Sequence, residues 1–445
     1  MNTSQLLFCG NSANFLKEEL TKHSNEANGG VAFRIPSIIN ANGTLIASID
    51  RASSGADWGY IEIAVRRSED GGKTWSDLEV IAAPPARETK ASTDCYSSGF
   101  FIDSCMAIAP NGDVVMIVDF WPECKGIFKP HLLDKKKAPY AEIGGKTLSV
   151  IYDKNDTPYY VNEDGSVLDK SKAVTDYKVK GLGDLYKGDE YLGNIFLHGE
   201  AGVDEMGMGV TFGAPLTAPR RCYVYMLRSS DNGKTWSEPK DITGMFLKKS
   251  DGYFLGVAPG VGLTTHSGRI IMPLYVNRKS TVAIYSDDNG DTWHRTDDQP
   301  YSKNVDEWQL IEADDNTLLG FGRQKKYTKT PVSISRNNGA NWSKGKKTKI
   351  YAPRCQKSII TMGDYVLCSH ASERKRANGM LSIGKFTKKN GVTSGVEWIA
   401  HKQINDGFFA YSCLVQIDGD TVGVMYESQP SSYIEFKTYK LSELL

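Results

Sequence analysis

The stretch Ser68–Trp75, SEDGGKTW, is the first of four related octapeptides in this chain. The other three are SSDNGKTW at 229–236, SDDNGDTW at 286–293 and SRNNGANW at 335–342. In each, a short Asp or Asn side chain can accept hydrogen bonds from the backbone N–H groups that follow it. The Gly two residues later permits a positive φ, and the Trp is a large apolar anchor for the returning strand. The pattern predicts four similar turns between β-strands.

The distances between these boxes indicate a repeat architecture. Successive boxes start 161, 57 and 49 residues apart. The last two intervals are about one four-stranded propeller blade each, since such blades contain roughly 40–50 residues. The first interval predicts a blade with an insertion. Short β-rich runs bounded by turn residues lie between the boxes, as at 269–275 and 280–285, and the one short helix expected is at 14–22. An all-β propeller therefore fits better than a sandwich.

Composition narrows the class of protein. The 445 residues include 53 basic and 53 acidic side chains, so bulk charge favours neither nucleic acid nor a membrane surface as a partner. The sequence has no run of 18 apolar residues, so it predicts no membrane span. The first ten residues lack the features of a secretory signal, and eight scattered cysteines favour reduced thiols. We therefore expect a cytoplasmic protein, with secretion by another route or a trimmed leader as alternatives. The seven dispersed histidines predict no metal site, and no cofactor is expected.

A second motif connects the boxes to a known family. The run Phe33-Arg34-Ile35-Pro36 precedes the first box. Together, the motif and the boxes resemble the sialidase (neuraminidase) family, over about residues 33–427 and most closely the catalytic domains of larger bacterial sialidases. The resemblance implies one six-bladed β-propeller over 1–445, with the active site at its central mouth. It also implies a small β insertion at about 124–205, which either frames the entrance or is a solvated satellite. The loop 206–209 is a candidate for the rim.

Three arginines match the family's carboxylate-binding positions. A sialic acid carries an ionised carboxylate on its anomeric carbon, and guanidinium groups recognise carboxylates with two parallel hydrogen bonds. By resemblance these groups are Arg34, Arg323 at the end of the run 317–323, and Arg376 in the run 375–380. Each alone is more typical of a surface ion pair, and the order of all three along the chain favours the binding site.

The nucleophile implied by the resemblance is Tyr411, in the run 407–414. Sialidases depart from the usual pair of glycosidase carboxylates by using a Tyr nucleophile. A carboxylate would be repelled by the carboxylate of the substrate, whereas a phenol activated by a base is not. Glu307 matches the family's base, although Trp308 stands where the family usually has a small residue. Glu312 is the alternative base.

The remaining site positions also come from the resemblance. Asp57, in a Gly/Ser-rich loop between two strands, matches the general acid/base, which must be protonated to donate to the leaving group. Arg51 matches a fourth arginine that reaches a sugar hydroxyl. Asp103 matches the aspartate near the N-acetyl and hydroxyl groups, and Glu427 matches the carboxylate that orients Arg34.

The resemblance implies an exo-α-sialidase that releases terminal sialic acid from sialylated glycans with retention of configuration. Two alternatives stay open. The same residues serve a trans-sialidase that passes the sugar to another acceptor or to its own hydroxyl. Boxes of this type also occur in non-catalytic propellers that bind glycans or proteins, but such a protein does not need a Tyr, a Glu and three arginines in this order.

Overall fold

The computed structural model describes most of the chain, and the predicted helix at 14–22 and residues 206–208 lie outside the described part. The described residues are 4–9, 32–86, 98–198, 202–203, 209–210, 213–276, 280–297 and 305–445.

The first three blades are built mainly from consecutive antiparallel strands. Strand β1 is Ser4–Cys9. Blade 1 contains β2 Ala32–Ala41, β3 Thr44–Ala52, β4 Ile61–Ser68 and β5 Glu79–Ala82. Blade 2 contains β6 Phe100–Ile108, β7 Val114–Trp121, β17 Tyr223–Ser229 and β18 Lys240–Asp241, with β20 Gly260–Val261 added parallel to β6. Blade 3 contains β19 Leu255–Val257, β22 Ile270–Val276, β23 Ser280–Ser286 and β24 His294–Arg295, with β21 Leu263–Thr264 beside β22.

The next three blades complete the ring. Blade 4 contains β25 Val305–Glu312, β26 Leu318–Gln324, β27 Thr328–Ser335 and β28 Lys346–Ala352. Blade 5 contains β29 Ser358–Met362, β30 Tyr365–Ala371, β31 Ala377–Lys389 and β32 Val392–Phe408. Blade 6 contains β33 Ser412–Gln416, β34 Thr421–Glu427 and β35 Tyr433–Lys440, and β1 pairs antiparallel to β35 as its outer strand. The prediction of an all-β, six-bladed propeller with a β insertion is confirmed.

An inserted sheet separates β7 from β17 in blade 2. Its seven strands are β8 Tyr140–Ile143, β9 Lys146–Tyr152, β10 Pro158–Val161, β11 Ser166–Leu168, β12 Val174–Lys180, β13 Asp184–Lys187 and β14 Glu190–Asn194. Strands β15 Gly202–Val203 and β16 Gly209–Val210 pair with each other. Three 3-10 turns, Gly126–Phe128, Thr243–Met245 and Lys249–Asp251, and the short helix α1 Leu441–Leu444 complete the described elements. None of these helices is long and apolar enough to cross a bilayer.

Strand direction separates two faces of the propeller. The first strand of each blade runs from the central mouth to the far face, and the second strand returns to the mouth. The mouth face therefore contains the starts of the first strands, the ends of the second strands and the connections from second to third strands. The four boxes connect third to fourth strands in blades 1–4, so they lie on the opposite face.

Each box is stabilised by hydrogen bonds within its own turn. In the first, Asp70 accepts from the Thr74 N–H at 2.9 Å, the Thr74 hydroxyl at 2.7 Å and the Ser68 hydroxyl at 2.8 Å. The Thr74 hydrogen bonds are the largest cause that lowers the pKa of Asp70 to about 2. Gly72 has φ +87°, and a Cβ there would lie 2.3 Å from the Phe436 ring. The glycine is required by both backbone conformation and packing.

We expect Asp231→Ala, in the second box, to lower the free energy of unfolding by about 1–2 kcal/mol and to leave activity unchanged. Asp231 accepts hydrogen bonds from the Thr235 N–H, the Thr235 hydroxyl and the Ser229 hydroxyl, and alanine removes all three. Urea unfolding combined with an activity assay measures both effects. Loss of activity in the folded variant would contradict a purely structural role for the box.

Candidate active site

A cavity of about 820 Å³ opens at the centre of the mouth face. All six blades contribute residues to its wall. Eight of the nine predicted site residues line it, namely Arg34, Asp57, Asp103, Glu307, Arg323, Arg376, Tyr411 and Glu427. Arg34 and Glu427, which are 393 positions apart in the sequence, thus meet in one cavity.

Irregularities in the first strands aim several of these side chains inward. The pairing register shifts between Arg34 and Ser37 in β2, between Ile102 and Cys105 in β6, and between Val305 and Trp308 in β25. A β-bulge bends its strand and changes the direction of the side chain at the bulge. Arg34, Asp103 and Glu307 lie at or inside these three irregularities. The same kind of strand irregularity therefore directs site residues of blades 1, 2 and 4 towards the cavity.

Two of these irregularities hold backbone conformations that non-glycine residues rarely adopt. Ile35 has φ +60° and Asp103 has φ +67°. For a β-branched residue such as Ile35 this conformation is a genuine outlier, and each such residue costs of order 1–3 kcal/mol. The Ile35 N–H donates to Glu427 Oε1 at 3.0 Å, and the Asp103 N–H donates to Asp50 Oδ2 at 3.2 Å. Buried carboxylates thus hold both strained peptides at the cavity wall.

A phenol, a carboxylate and a guanidinium are in direct contact at the cavity floor. The Tyr411 hydroxyl donates to Glu307 Oε1 at 2.5 Å. Arg323 Nη1 donates to the Tyr411 oxygen at 2.6 Å and also contacts Glu307 Oε1. All three residues are buried. Burial raises the pKa of Tyr411 well above its usual value, Arg323 opposes this shift, and Glu307 adds to it. Tyr411 is therefore a neutral phenol that needs a base to react.

Arg376 also lies close to the same phenol. Its Cζ is 5.3 Å from the centre of the Tyr411 ring, and the Arg323 Cζ is 5.6 Å from it. Among the described residues Arg376 forms no ion pair, so its guanidinium can accept an anionic ligand in the cavity. A carboxylate placed here would have guanidinium groups beside it and the phenolic oxygen of Tyr411 close by.

Arg34 is the third arginine of the cavity and contacts two predicted site residues. Arg34 Nη1 donates to Asp57 Oδ1, and Arg34 Nε is 3.8 Å from Glu427 Oε1. Burial lowers the pKa of Arg34, but Glu427 and Asp57 outweigh it, and the net shift is upward. The Asp57 side chain is 38% exposed and Glu427 is buried. Glu427 is placed to orient Arg34, and Asp57 faces the open side of the cavity.

Arg51 is the one predicted site residue that is absent from the cavity wall. It lies opposite Glu62 in the β3–β4 pairing, and its Nη1 contacts Glu62 Oε1. Arg51 is only 4% exposed, and the Tyr60 hydroxyl also bonds Glu62, at 3.1 Å. This cross-strand ion pair lies at the base of the loop that carries Asp57. Because Arg51 is buried in the pair and does not line the cavity, its placement does not support the predicted contact with a sugar hydroxyl, which stays a prediction.

The bulge in β25 explains why Trp308 can follow Glu307. Trp308 points away from the cavity, donates from its indole N–H to the Leu274 carbonyl at 2.8 Å, and packs edge-on against the box residue Trp342. The alternative base Glu312 lies at the far end of β25. It accepts from the His266 N–H at 2.7 Å and does not line the cavity.

Sequence reasoning missed a polar and aromatic wall contributed by blades 2 and 3. Trp121 stacks between Phe100 and Phe254, with ring centres 6.0 and 5.8 Å apart. Asp119 lies beside them and accepts from the Val257 N–H at 2.8 Å. Burial raises the pKa of Asp119, and burial together with Asp119 raises that of Asp103. This wall lines the same cavity as the arginines, and its aromatic rings suit uncharged substituents of a ligand.

Two further charged residues of the cavity were also missed. Asp306 is buried beside Glu307, and its Oδ1 lies 3.6 Å from Arg323 Nε. Arg354, in the connection from β28 to β29, is exposed and lines the cavity rim. Adjacency to Glu307 was the available signal for Asp306, whereas nothing local marks Arg354.

Known proteins share both the sequence pattern and the fold. The model of the BNR repeat-like domain matches residues 201–424, about half of the chain. The anhydrosialidase of Macrobdella decora is 26% identical, over 93% of this chain and 61% of that protein. Sialidase B of Streptococcus pneumoniae is 24% identical, over 90% of this chain and 62% of its own length. The chain thus spans about three fifths of the length of these curated relatives.

A solved structure shows the same fold over the whole propeller. The intramolecular trans-sialidase from Ruminococcus gnavus, solved with oseltamivir carboxylate, superimposes with a TM-score of 0.76 at 23% identity. The match covers 93% of this chain and 95% of that one. With its repeat-domain match, its sialidase relatives and its six-bladed fold, the chain belongs to the sialidase family.

Proposed function

We propose that this protein is a retaining exo-α-sialidase that releases terminal sialic acid from glycoproteins, glycolipids or oligosaccharides. The observation that carries the proposal is the hydrogen bond of 2.5 Å from the Tyr411 hydroxyl to Glu307, with the guanidinium carbons of Arg323 and Arg376 lying 5.6 and 5.3 Å from the centre of the Tyr411 ring. A neutral nucleophile with an adjacent base suits a substrate that is itself an anion.

The arginines would bind the substrate carboxylate. Arg34, Arg323 and Arg376 come from blades 1, 4 and 5 and line one cavity. A carboxylate held there places the anomeric carbon, to which it is attached, beside the Tyr411 oxygen. The ring carbon opposite the anomeric carbon then points towards Asp103 and the aromatic wall, where uncharged substituents fit.

The first chemical step forms a tyrosyl intermediate. The Tyr411 oxygen bonds to the anomeric carbon while its proton passes to Glu307. The bond from that carbon to the leaving oxygen breaks, and this oxygen takes a proton from Asp57. Positioning by the arginines and proton transfer at both ends lower the barrier together.

The second step restores the enzyme. Asp57 accepts a proton from a water molecule whose oxygen attacks the anomeric carbon from the side vacated by the leaving group. The bond to Tyr411 breaks, and Glu307 returns its proton to the phenol. Two inversions give net retention at the anomeric carbon.

Transfer to a hydroxyl instead of water is the second candidate. It is favoured by the names of similar proteins, since one relative is an anhydrosialidase and one structural neighbour is an intramolecular trans-sialidase. The same Tyr, Glu and arginines serve both outcomes, because only the second acceptor differs.

Product analysis tests the proposal and separates the candidates. With a sialyl-oligosaccharide as substrate, we expect free sialic acid as the main product, with its α-anomer detected first by NMR. An anhydro sugar as the main product would identify intramolecular transfer, and a newly sialylated acceptor would identify transfer between molecules. Initial formation of the β-anomer would contradict the two-step mechanism.

A further inference from the structure

The mouth face between blades 4 and 5 has a concentration of basic side chains, here called the blade 4–5 patch. It is formed by residues 325–329, 351–354 and 373–375. Its basic residues are Lys325, Lys326, Lys329, Arg354, Arg374 and Lys375. Glu373 is the acidic residue in these segments. Because basic and acidic residues are equal in number over the whole chain, the patch reflects local placement rather than composition.

The patch is continuous with the cavity. Residues 325–327 connect β26 to β27, residues 353–357 connect β28 to β29, and residues 372–376 connect β30 to β31. All three connections lie on the mouth face. Arg354 and Arg376 lie in the second and third of these connections, Arg323 lies in β26 two residues before the first connection begins, and all three line the cavity. A ligand that leaves the cavity towards blades 4 and 5 therefore meets the patch directly.

Several of these cations are available to a ligand. Lys326, Arg374 and Lys375 are exposed and form no ion pair with any described carboxylate. Exposed charge runs often do no more than keep a surface solvated. Here, however, two cations of the patch lie over aromatic rings, Arg374 over Tyr327 and Lys329 over Tyr351, which a merely solvated face does not need.

Two tyrosines lie within the patch, and one of them connects the two blades. Tyr327 of blade 4 donates from its hydroxyl to the Ser372 carbonyl of blade 5 at 3.2 Å. It stacks on Tyr351, which is 46% exposed, with ring centres 5.8 Å apart and planes inclined by 29°. The Arg374 Cζ lies 5.6 Å from the Tyr327 ring centre. The two stacked rings therefore present an aromatic surface beside cations, which suits sugar rings that carry negative groups.

We propose that the blade 4–5 patch binds additional negative charges on the glycan whose terminal sialic acid occupies the cavity. The groups are a carboxylate of a second sialic acid or a sulfate ester on an inner sugar, which share the chemistry of an anion on a sugar ring. This proposal rests on the proposed function and specifies its substrate class as multiply charged sialoglycans. The protein then prefers disialyl or sulfated substrates to those with one charge.

The test compares three substrates on one variant. Lys326→Gln/Arg374→Gln/Lys375→Gln removes three charges that do not line the cavity. We expect kcat/KM to fall about tenfold for a disialyl oligosaccharide or a sulfated sialoside, since three exposed ion pairs contribute modestly each. For an aryl monosialoside the change is expected to stay within about twofold. Loss on only one of the two charged substrates identifies the group that is bound, whereas equal loss on all three, or none, overturns the proposal.

A matched variant controls for net charge. Lys154→Gln/Lys170→Gln/Lys187→Gln removes three exposed lysines of the inserted sheet and is expected to keep the preference of the wild type. The wild-type preference should also weaken at high salt, because exposed ion pairs are screened.

A binding measurement separates this proposal from the catalytic one. In a Tyr411→Phe background, the disialyl oligosaccharide is expected to bind more tightly than the monosialyl one, and the triple patch variant to lose the difference. If this difference in binding appears and the wild-type protein, with Tyr411 intact, cleaves neither sugar, the patch is supported and the proposed function is refuted. Equal affinities for the two sugars refute the patch even if cleavage occurs.

Discussion

Replacing Tyr411 with Phe is expected to lower kcat/KM for a fluorogenic sialoside by about ten-thousandfold. The substitution removes one oxygen, and with it the nucleophile and the proton that Glu307 receives at 2.5 Å. Removal of a nucleophile in other hydrolases leaves only the rate that binding and electrostatics supply. Steady-state kinetics measures the effect, with thermal unfolding to show that the variant is folded.

Tyr439→Phe is the matched control. Tyr439 is also a buried tyrosine of blade 6, but it packs in the apolar cluster with Leu441 and lies away from the cavity. Its activity is expected to stay within about twofold of the wild type. Comparable losses in both variants would show that the effect of Tyr411 is structural, and full activity of Tyr411→Phe would exclude it as nucleophile.

Glu307→Gln is expected to lower kcat/KM by about a thousandfold. An amide of the same shape cannot accept the phenolic proton, and burial already holds the pKa of Tyr411 above its usual value. The buried Arg323 keeps Asp306 as a partner, 3.6 Å from its Nε, so the fold should be retained. Kinetics at saturating substrate should place most of the loss in kcat.

Glu312→Gln distinguishes the two candidate bases in the same strand. Glu312 bonds the His266 N–H at the opposite end of β25. We expect this variant to keep its activity within about twofold. If Glu312→Gln were inactive and Glu307→Gln active, the assignment of the base would be reversed.

The fold was predictable because its signals are local. Each box stabilises its own turn with hydrogen bonds between residues four apart, as between Ser68 and Gly72 and between Asp70 and Thr74, so its sequence pattern is independent of the rest of the chain. Spacing between boxes then gives the blade length. The strands of the inserted sheet carry no box, and their number did not follow from the sequence.

The site was predictable only where a motif marked it. Arg34 and Tyr411 stand in characteristic runs, but their meeting depends on pairings across the whole ring. Ile35, with φ +60°, could not be anticipated, because a β-branched residue disfavours that conformation and only the surrounding contacts impose it. Arg51 matches the sequence motif but does not line the cavity, because it pairs with Glu62, and nothing in the sequence indicated that ion pair.

No sequence motif marked Phe100, Trp121 and Phe254 as residues of the cavity wall. Aromatic residues at strand ends pack in most β-proteins, and only the arrangement of blades 2 and 3 turns these towards a cavity. Three-dimensional placement, not residue type, assigns them to the site.

Mass spectrometry of a trapped intermediate tests the central claim most directly. A sialosyl fluoride with a second fluorine next to the anomeric carbon should react and then hydrolyse slowly, because the fluorine destabilises the positively charged transition state. We expect one added sugar on the peptide that contains Tyr411, and none in Tyr411→Phe. A sugar attached to a carboxylate, or rapid turnover without any covalent adduct, would contradict it.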